Sequence, residues 1–405
     1  MSSCNLATSL FRNRAKTLRY GYFTLCTALK ANNYYFCTIF LFFVMFFAML
    51  KSYNVGKLET DALNKVERVT TPMETQELTS NVLDNTTPLI SVSIVMPSYN
   101  RRDRLEKVVQ HIAKQTYPKE LVELVICLDG CTDDSATILR QIQPEFPFKL
   151  VILEQPQTGP AAARNNAIKV AQGELILFLD DDVFPVPELI KTHVQHHLNN
   201  HDIVVIGTME PPADFDRPFW VRWEEEMLDK QYREMIAGEW EATWRQFYTG
   251  NCSLRRQWLN QIGGFNESFK RAEDIEMALR LEDEGLKFIF EPKAIGYHYA
   301  TRTYKSWENA RYQYGKYDII ISKGANREWY WELINEEHAR RNRITRLLCN
   351  TVVNRPFLYN PARKILFWLS KGLLKMGREK QSYKVLSTLA NMVYWQGLSD
   401  ELAKK

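Results

Sequence analysis

The chain has 405 residues, of which 45% are apolar and 25% charged, with 52 Lys and Arg against 48 Asp and Glu. That length accommodates one large domain with appendages or two ordinary domains, and the composition is that of a folded protein rather than a disordered one. A net charge of +4 is too small for a nucleic-acid binder and sets that class aside.

Residues 1–33 form a basic tail with Arg12, Arg14, Lys16, Arg19 and Lys30 and no acidic residue. Residues 34–50 follow as about seventeen uncharged, mostly apolar residues, close to the shortest stretch that spans a bilayer. The basic flank predicts a signal anchor with the N-terminus in the cytosol, hence a single-pass membrane protein. Such a protein is Golgi-type type II in a eukaryote, whereas a bacterial or viral enzyme would keep its catalytic domain cytosolic. Residues 51–89 are polar, rich in Thr, Asn and Glu, and read as a stem. The seven cysteines match no zinc spacing or disulfide framework, and Cys127 reads as a small buried hydrophobe.

The folded part begins with a strand from Leu89 to Met96 that Pro97 ends, then a helix with Leu105, Val108, Val109 and Ile112 on one face. A second strand, Leu121 to Leu128, stops at Asp129; a third is expected from Phe148 to Leu153. Gly159 and Pro160 open a helix of small residues that carries Arg164. Leu175 to Leu179 then form a buried strand that stops at Asp180, Asp181 and Asp182, and Pro185 and Pro187 forbid it from continuing. Three carboxylates at the C-terminal end of a strand suit a hard divalent cation, Mn²⁺ or Mg²⁺, and hence a phosphate-bearing ligand; a solvated acidic turn is the plain alternative. Alternation of strand and helix predicts an α/β fold with a Rossmann-like half. Neither G-x-G-x-x-G after the first strand nor G-x-x-x-x-G-K-[ST] occurs, which removes dehydrogenase and P-loop chemistry.

In order and spacing, Pro97 to Asn100, Asp129 to Asp133, Gly159 to Asn165, Phe178 to Asp182, Gly250 to Arg255, Gly263 to Glu267, Glu273-Asp274 and His298 resemble the family 2 glycosyltransferases. The likeness covers roughly residues 90 to 300. It implies a GT-A fold: a nucleotide-binding half with a mixed central sheet, an acceptor half, and here a helical C-terminal extension over 301–405. It also implies inverting transfer from a nucleotide sugar, UDP-linked ahead of GDP-linked, to a glycan, lipid-linked or protein-linked hydroxyl.

By the same resemblance Pro97, Tyr99, Arg101, Asp129, Arg164, Asp180 and Asp181 bind the nucleotide. Asp182, as the last residue of the D-x-D motif, and His298 hold the metal. Asp274 is the base, kept ionised at a helix N-terminus. Asn251, Gly264 and Glu273 lie on the acceptor side. For Asp129 a turn or capping carboxylate is the plain alternative, and for Glu273 and Asp274 ordinary first-turn acids.

Pro211 to Tyr248, with Trp220, Trp223, Trp240 and Trp244, reads as an insertion that helps choose the acceptor, although packing accounts for each indole taken singly. Residues 363–376 form a basic apolar stretch that either lies on a membrane surface or packs onto the domain. Second-strand loops in the family often read Asp-Asp-Gly-Ser, whereas here Leu128 precedes Asp129 and Cys131 replaces the serine. The motifs of polymerising synthases are lacking. Two further readings stay open: a catalytically silent sugar-binding relative, and a nucleotidyltransferase that shares the nucleotide half.

Overall fold

The computed structural model describes residues 89–404. The basic tail, the signal anchor and the stem up to residue 88 lie outside the described residues. Among the described residues no helix is long and apolar enough to cross a membrane.

Eight strands form one sheet: β1 (Val92–Ser98), β2 (Val122–Asp129), β3 (Lys149–Gln155), β4 (Leu175–Leu179), β5 (Val183–Pro185), β6 (Ile203–Glu210), β7 (Asn251–Arg255) and β8 (Lys287–His298), in the order β3-β2-β1-β4-β7-β6-β8-β5. From β3 to β4 the strands are parallel; β7 pairs antiparallel with both β4 and β6, and β6 pairs parallel with β8. The sheet is thus half doubly wound and half mixed, as expected.

One strand boundary differs from expectation. Pro97 does not end β1: it stays in register with Cys127 of β2, and the strand runs on to Ser98. Strand β4 stops at Leu179, as expected, and after the aspartates Val183–Pro185 adds to β8 as the last strand of the sheet. An edge strand tolerates a proline, since one side of its backbone needs no partner.

The helices flanking the sheet are α1 (Arg102–Ile112), α2 (Ser135–Ile142), α3 (Pro160–Val170), α4 (Leu189–His197), α5 (Phe219–Ile236), α6 (Arg256–Ile262) and α7 (Glu273–Asp283). Helix α1 buries Leu105, Val108, Val109 and Ile112, the stripe its periodicity predicts. On one face these side chains join Ile94, Met96, Leu124 and Leu177; on the other, Phe178, Phe247, Cys252 and Phe265 pack beneath α3 and α7.

The C-terminal part is helical throughout: α8 (Tyr304–Ser322), α9 (Glu328–Arg340), α10 (Arg343–Val352), α11 (Pro356–Lys375) and α12 (Glu379–Leu402). Helices α8 and α12 cross with their backbones nearly touching. A Cβ on Gly315 would lie 2.0 Å from the Tyr394 carbonyl oxygen, and one on Gly397 would lie 2.0 Å from that of Tyr312.

Helix propensity alone favours alanine over glycine by about 1 kcal/mol. At Gly315 that gain is outweighed, because the obstacle is a backbone carbonyl and the helices must separate. Gly315→Ala should therefore lower stability by roughly 1–3 kcal/mol. Gly372→Ala in α11, where a Cβ meets nothing within 4 Å, should raise it by roughly 0.5–1 kcal/mol. Urea unfolding of both variants measures the two signs, and a stabilised Gly315→Ala would contradict the close crossing.

Candidate active site

Parallel strands β1, β2 and β4 end on the same edge of the sheet, which brings Pro97 to Arg101, Asp129 and Asp180 to Asp182 together. Helices α3 and α7 approach that edge. From α3, the buried Arg164 guanidinium donates through Nη2 to Asp180 Oδ1 at 2.8 Å and through Nη1 to Glu273 Oε1 at 3.2 Å. Burial works against its charge, but Asp180 and Glu273 outweigh that and hold it firmly protonated. One cation thus ties the end of β4 to the start of α7.

Helix α7 begins abruptly because Ala272 takes a left-handed conformation, φ 59°, directly before Glu273 and Asp274. The backbone N–H of Ile275 donates to Asp274 Oδ1 at 2.9 Å. The helix terminus does not keep Asp274 at an ordinary carboxylate pKa, however. Burial, then the neighbouring Glu273 charge, push it up to about 7. The expectation of a carboxylate fully ionised by the helix dipole is corrected accordingly: desolvation outweighs the dipole here.

Asp182 and His298 meet where β5 pairs with the end of β8, with Asp182 Oδ1 3.4 Å from His298 Nε2. Burial opposes the Asp182 charge, but His298, Arg101 and Arg104 outweigh it and hold the carboxyl below its usual range. Arg101 and Arg104 stand 3.9 and 3.8 Å from Asp182 Oδ2. One carboxylate and one imidazole fit a hard or borderline divalent ion as partial ligands. Among the described residues no group of three His, Cys, Asp or Glu side chains converges as a complete cage. An ion held here would take its remaining ligands from phosphate oxygens and water.

The other expected site residues fall into two groups. Tyr99 is 44% exposed, so its ring is free to cover a ligand, and Arg101 Nη1 donates to Thr301 Oγ1 at 3.2 Å. Asp129, by contrast, is buried: its Oδ1 accepts from Thr158 N and Gln155 Nε2, both at 2.8 Å, and its Oδ2 from Gly159 N at 2.9 Å. It is a turn carboxylate that fixes the loop between β3 and α3. Asp181 turns away from its neighbours to accept from Ser98 Oγ at 2.6 Å, and burial with the Asp182 charge pushes its carboxyl up to about 7.

The acceptor-side residues need correction. Asn251 is 1% exposed; its Nδ2 donates to the carbonyls of Thr208 and Ala294, and its Oδ1 lies 3.0 Å from His193 Nε2. With both ends of its amide engaged it pins β6, β7 and β8 together and faces no cleft. Glu273 is likewise spent on Arg164. Gly264, at φ 74°, is required where it is because a Cβ there would sit 2.6 Å from Asn165 Oδ1, the acceptor for Phe265 N.

Sequence reasoning missed Arg104 and Ser98. Arg104 follows Arg101 by three residues at the start of α1, a spacing that places both on one helix face and that was legible. Ser98 gave no signal. The insertion turns out to be largely packed: Trp223 and Trp244 are buried, and Trp220 Nε1 donates to Arg302 O at 2.8 Å, while Trp240 is exposed. Glu224 in α5 pairs with Arg302 and Arg311, bracing α5 against the chain that leaves His298.

Comparison with known proteins agrees with this geometry. Residues 93–263 match the family described as "Glycosyl transferase family 2", and residues 232–304 match "N-terminal domain of galactosyltransferase". A Bacillus subtilis (strain 168) protein described as "Uncharacterized glycosyltransferase YfnE" is 24% identical over 52% of this chain and 64% of its own length. Glycosyltransferase AglE of Haloferax volcanii is 26% identical over 58% of this chain and 75% of its own. This chain therefore spans a little under two thirds of the first relative. The solved mannosyltransferase PcManGT of Pyrobaculum calidifontis, in complex with GDP-Man and Mn²⁺, superposes with a TM-score of 0.53 at 17% identity, over 89% of this chain and 98% of that one. That likeness establishes a shared GT-A architecture. Residues 93–263, the segment that carries most of the ordered motifs along the sheet edge, thus hold a glycosyl transferase family 2 domain.

Proposed function

We propose that the protein transfers a sugar, with inversion, from a nucleotide sugar to a hydroxyl of a glycan, lipid-linked or protein-linked acceptor, assisted by a divalent cation, and that residues 34–50 hold it at a membrane. The observation that carries the reading is the Arg164 bridge. It sets the D-x-D segment and the Glu273-Asp274 segment in one rigid relation, as a donor site and a base acting on opposite sides of one anomeric carbon must be.

Tyr99 and Pro97 flank the nucleotide base, and Asp129 acts by fixing the neighbouring loop. Arg101 and Arg104 lend positive charge to the diphosphate. A divalent cation, Mn²⁺ or Mg²⁺, held by Asp182 and His298 supplies further positive charge to the leaving diphosphate. Asp274 takes the proton of the acceptor hydroxyl as that oxygen bonds to the anomeric carbon. The bond from that carbon to the diphosphate oxygen breaks on the opposite face, and its electron pair leaves with the diphosphate. A carboxyl pKa near 7 suits the task, because such a base is ionised in useful amount near neutrality and still takes a proton readily. A UDP-linked donor leads from the sequence resemblance; the mannosyltransferase's GDP-Man keeps GDP-linked donors in the test.

Nucleoside diphosphate release by the full chain against a panel of UDP- and GDP-sugars, with Mn²⁺ or with chelator, tests the reading. Turnover of one donor that chelator abolishes is expected. Asp182→Ala should lose the metal-dependent turnover, whereas a folded chain that binds no nucleotide sugar would favour the silent sugar-binding alternative. Release of pyrophosphate in place of nucleoside diphosphate would favour the nucleotidyltransferase.

Asp274 must be deprotonated to act, so kcat/KM should fall as pH drops through about 7. Asp274→Asn should lower kcat by roughly 10²–10⁴ and leave no such limb. A wild-type rate that stays flat from pH 5 to 8 would remove Asp274 from the base role.

Arg164→Met strands two carboxylates that shared its charge and should cost roughly 3–5 kcal/mol in urea unfolding. Adding Asp180→Asn and Glu273→Gln should restore most of that stability but not activity. A single variant of wild-type stability would mean that the bridge holds nothing.

A further inference from the structure

We infer that the outer face of α11 is a docking surface for an anionic lipid bilayer, separate from any attachment made by residues 34–50. Between Glu337 and Glu379 the chain has ten Lys and Arg and no Asp or Glu. Helix α11 occupies the C-terminal half of that segment and divides its own residues by face. Ala362, Leu366 and Ser370 are buried, and Ser370 exchanges hydrogen bonds with Ser382 of α12 at 2.8–3.0 Å. Phe367 packs on Phe219 and Tyr304, and Arg363 pairs with Glu308 at 2.8 Å. The helix is therefore firmly seated on the domain, which decides one of the two expectations for residues 363–376: the stretch does pack back.

Among the described residues the opposite face has no packing partner. Phe357 and Trp368 are 62% and 63% exposed, and Ile365 is exposed beside them. Phe357, Lys364, Ile365, Trp368, Lys371 and Lys375 follow one another at helical spacing, so they form a single stripe of apolar groups and ammonium groups. Lys371 Nζ lies 5.0 Å from the Trp368 ring. Leu347 and Met376 add exposed apolar groups from the flanking segments.

Charge and chemistry select the occupant. A second copy seated two-fold on this face would set the same cations against each other, with no carboxylate between Glu337 and Glu379 to pair them. A bilayer carrying anionic headgroups satisfies both components at once. Indole and phenyl groups enter the headgroup and acyl boundary, while flexible lysines reach phosphate oxygens above it. The inference does not depend on the catalytic reading, since none of these residues touches the site.

The test uses the full chain reconstituted into vesicles of phosphatidylcholine alone or of phosphatidylcholine and phosphatidylglycerol at about 7:3, each doped with a diazirine-bearing phospholipid, with adducts mapped by mass spectrometry after illumination. Adducts on residues 356–376 should appear in the phosphatidylglycerol vesicles. They should drop about tenfold without the anionic lipid and by a similar factor in the Lys364→Glu, Lys371→Glu, Lys375→Glu triple variant. Trp368→Ala, a single exposed change, gives a second variant with the same expected direction. The comparison of the two vesicle types needs no variant at all. Adducts confined to other parts of the chain, adducts equal in both vesicle types, or cross-links joining residues 356–376 of two copies would each overturn the inference.

Discussion

A single buried guanidinium holds together the segments that carry the candidate site. Arg164 stands on α3, whose small residues let it lie close against the sheet, and reaches both Asp180 at the end of β4 and Glu273 at the start of α7. Two carboxylates that would otherwise repel are bridged by one planar, permanently charged group. Asn165, the next residue, clamps the Gly264-Phe265 turn through both ends of its amide. Two adjacent side chains of one helix thus fix the segments that carry Asp182 and Asp274.

Beneath that layer the parallel and antiparallel parts of the sheet are joined by a polar core. His193 and His197 of α4 share the Ser253 hydroxyl, and His193 also reaches Asn251, which in turn holds the carbonyls of Thr208 and Ala294. Burial pushes these imidazoles down to about 4 and about 3. They are therefore neutral hydrogen-bonding groups across the neutral range and charge only in acid, where protonation would favour the unfolded chain. The cluster orders β6, β7 and β8, and with β8 it orders His298.

Much of this was legible in the sequence because local chemistry and position coincided. Leu175 to Leu179 followed by three aspartates read correctly as a strand that ends in a polar edge, and the α1 stripe read correctly from its spacing. Illegible were the choices made by tertiary packing. Asp180, Asp181 and Asp182 are identical in type and adjacent, yet one takes Arg164, one takes Ser98 and one meets His298. Nothing local distinguishes them; the alternation of directions at a strand end does, together with partners up to 116 residues away. Asn251 and Glu273 looked like acceptor-side groups because they stand within conspicuous motifs, but burial gave both to the scaffold. The raised pKa of Asp274 was equally hidden, since it depends on desolvation that no spacing reveals.

The division of labour that results is specific. In the proposed mechanism Arg101, Arg104, Asp182 and His298 face the charge that leaves and Asp274 faces the proton that is lost, while Arg164 ties the two segments together. That division of roles describes a single displacement. The most direct measurement is the anomeric configuration of the first product, read by proton NMR early in turnover with the donor the protein accepts. A linkage inverted relative to the donor sugar is predicted; a retained configuration would contradict it, because a backside displacement with Asp274 as base inverts the anomeric carbon.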